Sequence, residues 1–84
     1  MAVSDARIEE TIRGLLDARD AGKTICPSDA ARVAGGERWR SLVPLARTVA
    51  AELAGAGEVV VTHRGEPLAA DPSAWKGPVR LRLS

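Results

Sequence analysis

Leu53-Ala54-Gly55-Ala56-Gly57-Glu58-Val59-Val60-Val61-Thr62-His63-Arg64 is the stretch in which the chain changes its period. Before it, Leu42, Leu45, Ala46, Val49 and Leu53 recur at helical spacing and form one apolar stripe. Gly55 and Gly57 end that pattern. After them the residues turn β-branched, and alternation sets Val59, Val61 and His63 on one side, with Val60, Thr62 and Arg64 on the other. A helix over 41–54 and a strand over 58–64 are therefore expected, which makes this an α+β chain with its helices first.

Upstream, Ile8, Ile12, Leu15 and Leu16 fall on one face of a helix expected over 4–19, with Ser4 as N-cap and Asp5, Glu9 and Glu10 near its positive end. Asp20-Ala21-Gly22-Lys23 reads as the turn that ends it. Ile25 is expected to add one short strand to the sheet. Pro27 suits the first position of a second helix, over 28–34, which places Cys26 at its N-cap and stops at Gly35-Gly36. Pro44 would cost about 3 kcal/mol inside a helix, so the main helix is expected to begin near Ser41. Downstream, Gly65-Glu66-Pro67 reads as a turn, and Val79, Leu81 and Leu83 alternate with Arg80 and Arg82 in a strand over 78–83. The expected core is Ile8, Ile12, Leu15, Leu16, Ile25, Val33, Trp39, Leu42, Leu45, Val49, Leu53, Val59, Val61, Leu81 and Leu83.

The composition limits what such a chain does. Its 84 residues make one small domain, and its apolar set is 15 Ala, 8 Leu, 8 Val and 3 Ile, with no Phe or Tyr. Trp39 and Trp75 are the only aromatics, so both indoles are expected to pack: Trp39 between the second and third helices, Trp75 anchoring the loop before the last strand. Twelve basic and 11 acidic residues leave a net charge of +1, which argues against disorder. One Cys and one His (Cys26 and His63) fit neither an internal disulfide nor a zinc site of ordinary spacing. No apolar run approaches the roughly 18 residues of a membrane span, and Met1 to Asp5 does not open a signal peptide, so a cytoplasmic protein away from membranes is expected. Paired carboxylates in a plausible cleft and a phosphate-binding glycine loop are also missing from the pattern, so neither an enzyme nor a bound cofactor is expected.

The order of helix, short strand, helix, helix, strand, loop and strand resembles the winged helix-turn-helix fold, with a C-terminal β-hairpin as its wing. Three strings carry a narrower resemblance: Cys26-Pro27-Ser28-Asp29-Ala30-Ala31-Arg32, then Trp39-Arg40-Ser41-Leu42-Val43-Pro44-Leu45-Ala46-Arg47, then Gly77-Pro78-Val79-Arg80-Leu81-Arg82. Together they are similar to a family of short bacterial proteins known as domain of unknown function 3253. The resemblance spans Ile8 to Arg82 and implies a winged helix, a fold that serves both DNA binding and protein docking.

The candidate contacts are Arg40 at the leading end of the third helix, Arg47 at its exposed middle, and Arg64 and Lys76 on the wing, all aimed at double-stranded DNA. The charge distribution leans weakly the same way: residues 1–36 carry 5 basic and 6 acidic side chains, residues 37–84 carry 7 and 5. Arg80 and Arg82, on the outer side of the sheet, are weighed as an extension of that patch opposite Arg64. The expected function is a nucleic-acid-binding winged helix acting as a small transcriptional regulator or accessory factor. The alternative is a protein-interaction module that docks onto a larger partner or self-associates without touching DNA.

Overall fold

Ser4 accepts a hydrogen bond from the Arg7 amide at 3.2 Å and so opens helix α1, Asp5–Asp17. The computed structural model describes residues 3–18 and 23–84. The expected end of α1 near Arg19 and the turn over 20–22 lie outside them. Ile8, Ile12 and Leu16 are buried along one face, with Leu15 half-buried at its margin.

Helix α2 spans Pro27–Gly35. Proline at its first position forgoes an N–H that the helix would not use. The Cys26 N–H is instead satisfied by the Asp29 carboxylate at 2.9 Å, the reaching-back half of a capping box. The buried face of α2 is Pro27, Ala30 and Ala31, with Ala34 half-buried beside them. Val33, expected in the core, is instead 57% exposed. The helix is phased by its alanines, and Val33 falls more than a quarter-turn away from their mean direction.

One 3-10 turn, Gly36–Arg38, leads directly into α3, Trp39–Gly55. The helix thus begins before Ser41, and Pro44 lies inside it rather than in its first turn. The missing Pro44 N–H deprives the Arg40 carbonyl of its helical partner, but both residues are on the exposed side, where water can serve that carbonyl. α2 packs most extensively on α3. Ala30 and Ala31 on one helix and Ala46 and Ala50 on the other are all fully buried, so no long side chain holds the two axes apart.

The last third of the chain forms an antiparallel sheet. β1 (Val59–His63) lies between β2 (Glu66–Pro67) and β3 (Arg80–Leu83). β1 and β3 pair from Val59 opposite Leu83 to Thr62 opposite Arg80. On the far side of β3, Ile25 exchanges both backbone hydrogen bonds with Leu81, at 2.9 and 2.7 Å, as the expected additional rung. The turn between β1 and β2 is one residue earlier than expected. Arg64 and Gly65 both take positive φ, 51° and 84°, the arrangement of a two-residue hairpin turn that twists with its strands. Glu66 and Pro67 are then strand rather than turn.

Ile25, Val59, Val61, Val79 and Leu81 are buried in one cluster with α1, α2 and α3. Leu83, expected with them, is 50% exposed; on the outer side of β3 the Ile25 rung reaches only Leu81, so Leu83 lies at an open edge of the sheet. Trp39, Leu42 and Leu45 are also less buried than expected, packing against the core from its edge.

Candidate nucleic-acid interface

Arg40 sits in the first turn of α3, exposed, with its guanidinium carbon 4.5 Å from the centre of the Trp39 ring. Arg32, exposed on α2, lies over the same ring at 4.3 Å. A guanidinium stacked in this way presents its flat face to the indole and keeps its in-plane N–H donors free. Neither side chain makes a hydrogen bond or an ion pair among the described residues, where the ion pairs are those of Arg13 with Glu9 and Glu58. From Ala30 to Ala51 the chain carries Arg32, Arg38, Arg40 and Arg47 against one acid, Glu37. The junction of α2 and α3 is therefore a positively charged corner with an indole at its centre.

Arg32 was not among the residues the sequence singled out. Its cue is spacing across a turn. Arg32 and Arg40 flank Trp39 once Gly35-Gly36 folds the chain back, a proximity that helical periodicity within either segment does not reveal.

Arg47 differs from expectation. Seven residues after Arg40, it lies on the same face of α3, about 10 Å further along the axis. It is half-buried, and its guanidinium donates to the Trp75 carbonyl at 3.1 Å and to the Gly77 carbonyl at 3.2 Å while lying over the Trp75 ring at 5.5 Å. Trp75 itself is 6% exposed and donates from Nε1 to the Ala69 carbonyl at 2.8 Å. As expected, Trp75 pins the loop to the domain. The unexpected part is that Arg47 is its partner, so the loop and the 3-10 turn Pro72–Ala74 fold back against the middle of α3. The concavity between them is lined by Val43, Pro44, Arg47, Thr48, Pro72 and Ser73.

Lys76 is exposed between the two carbonyls that hold Arg47, so these two candidates share one locality. Arg64 is exposed at the hairpin tip, and no side-chain contact among the described residues ties it to the other three. Arg80 does not extend a patch towards it. It turns to the opposite edge of β3, donating to the Thr24 hydroxyl at 2.8 Å, the Thr24 carbonyl at 3.1 Å and the Cys26 sulfur at 2.7 Å. Arg82 is half-buried. His63, half-buried at its strand end as expected, has Nδ1 2.9 Å from the Pro78 carbonyl, which assigns the proton to that nitrogen.

Among the described residues no group of three or more His, Cys, Asp or Glu is placed to hold a metal ion, and no helix is long and apolar enough to cross a membrane. The sequence matches, over residues 5–84, the family described as "Protein of unknown function (DUF3253)", and the chain belongs to that family. No curated protein matches it.

Proposed function

We propose that this chain is a winged-helix nucleic-acid-binding domain, a small regulator or accessory factor that contacts duplex DNA through the leading end of α3 and the hairpin. One observation carries the reading: the order of backbone pairing across the sheet. Ile25, in the segment between α1 and α2, pairs with the last strand, and the last strand pairs with the strand that follows α3. That connectivity, with α2 and α3 joined by one tight turn, supports reading the pair as a helix-turn-helix buttressed by a hairpin. In this class the second helix of the pair meets the groove with its amino-terminal residues. Here that end bears Trp39 and Arg40, half-buried and exposed, whereas Arg47 at the middle of the helix is engaged by the loop. Arg40, Arg64 and Lys76 are the contacts retained from the sequence, and Arg47 serves the fold.

Backbone amide shifts on titration with a short mixed-sequence duplex test this reading. Perturbations confined to Trp39–Ser41, Arg64–Gly65 and Lys76 support it, and a duplex that perturbs none of them overturns it.

The second reading, a protein-interaction module, is favoured by the same fold-back. A loop clasped to α3 by Arg47 and Trp75 makes the helix face a composite, contoured surface rather than a bare rod. Duplex-independent self-association, or capture of a defined larger partner that leaves the Trp39–Ser41 amides unshifted, would favour it.

A further inference from the structure

We propose that Arg32 and Arg40, both held over the Trp39 ring, form a phosphate clamp on the nucleic-acid backbone, with Trp39 as the positioning residue rather than a base-stacking one. The inference rests on the nucleic-acid reading above and specifies the chemistry of its contact. Both guanidiniums lie within 4.5 Å of one ring centre. They are therefore less than about 9 Å apart, a spacing that suits neighbouring phosphates of one strand. Two like charges held this near each other raise the local positive potential, and no acid pairs with either among the described residues. An anion relieves that repulsion. Arginine meets phosphate with parallel in-plane N–H donors, and stacking leaves those donors unused. The ring also restrains two long side chains before any partner arrives, so less rotamer freedom is lost on binding. A stacking base would have to compete with cations already lying over the indole, which is why Trp39 positions and does not read.

Arg32 comes from α2 and Arg40 from α3, so the clamp exists only when the two helices are docked. Phosphate contacts of this kind set orientation and affinity without sequence preference.

The test is the salt dependence of duplex binding by the full chain, wild type against Arg32→Ala/Arg40→Ala, by anisotropy of a labelled mixed-sequence duplex at about 50 and about 200 mM salt. Each phosphate neutralised contributes roughly 0.9 to the log–log slope, so the double variant is expected to lose about 1.8 from its magnitude. Both residues are exposed, and a melt of the variant checks that the fold is kept. Arg32→Lys/Arg40→Lys adds a second readout: it keeps the slope, since the charges remain, but binds more weakly, since the stacked forks are gone. A wild type that binds with a slope unchanged in the Ala variant overturns the clamp and leaves the nucleic-acid reading standing. A wild type that does not bind the duplex overturns both. A wild type that ignores the duplex but binds a polyglutamate peptide in an Arg32- and Arg40-dependent way assigns the corner to an acidic protein segment instead.

Discussion

Arg47 and Trp75 hold each other twice: the arginine donates to the tryptophan's carbonyl at 3.1 Å and lies over its ring at 5.5 Å. The residues are 28 apart in sequence, and this contact draws the loop before β3 against the middle of α3. It occupies the Arg47 guanidinium and leaves Arg40, in the leading turn, exposed.

Arg47→Ala should therefore act on stability first. It removes two hydrogen bonds from a charged, half-buried donor and frees the segment they hold, at a cost of about 1–3 kcal/mol. Hydrogen exchange at the Trp75 indole N–H, which otherwise donates to Ala69, should accelerate relative to the core amides of β1. A variant with wild-type stability and wild-type protection at Trp75 would show that the clasp is not formed in solution.

Leu53 and Leu83 were expected in the same core and should now respond differently. Leu53 is 4% exposed and Leu83 is 50% exposed. Leu53→Ala should cost on the order of 2–5 kcal/mol, and Leu83→Ala less than about 1 kcal/mol, read as urea midpoints. Equal losses would contradict the arrangement in which β3 is bridged by Ile25 at Leu81 and left as an open edge at Leu83.

Gly36 joins α2 to α3 with φ 56° and ψ −124°, a conformation that a side chain resists. No heavy atom crowds the position, so the strain of Gly36→Ala is in the backbone alone. A loss of roughly 1–3 kcal/mol is expected in thermal or urea unfolding. An unchanged midpoint would mean that the turn takes another shape.

The starts of α1 and α2, the end of α3 and the β1 strand are legible because capping and alternation are local. Ser4, Pro27 with Asp29, the glycines after Leu53 and the Val-rich run each announce themselves within a few residues. The positions that depart from expectation depend on what is far away in sequence. Val33 is outside because the face of Ala30, Ala31 and Ala34, not the larger residue, seats α2. Arg47 reads as a free cation until carbonyls at Trp75 and Gly77 arrive beside it. Arg32 gains its meaning only when Trp39 folds back beneath it. Pro44 was expected to delay the helix start, but an exposed carbonyl at Arg40 tolerates the lost bond.

Arg13 links α1 to the start of β1, donating to both Glu58 oxygens at 2.8 and 2.7 Å and to Glu9 at 2.7 Å. Its hydrogen bonds hold the Glu58 carboxyl below the usual carboxylate range, against a smaller opposing effect of desolvation. The folded pKa is lower than the unfolded one, so the contribution is complete above the unfolded value, about 4.3, and fades as pH falls through the folded value. Glu58→Gln should bring the melting temperature closer to wild type as pH drops below about 4. Wild type and variant curves that stay parallel from neutral to acid pH would remove the pair from the stability of the fold.

Titration of the wild-type chain with a mixed-sequence duplex at two salt concentrations tests the proposed binding of duplex nucleic acid by the leading end of α3 and the hairpin. With Arg32, Arg40, Arg64 and Lys76 each on a phosphate, the log of the association constant should fall against log salt with a slope of about −3.6. Binding should be in the micromolar range or weaker at physiological salt, as for a non-specific contact. No binding at micromolar protein in low salt, or binding indifferent to salt, would contradict it.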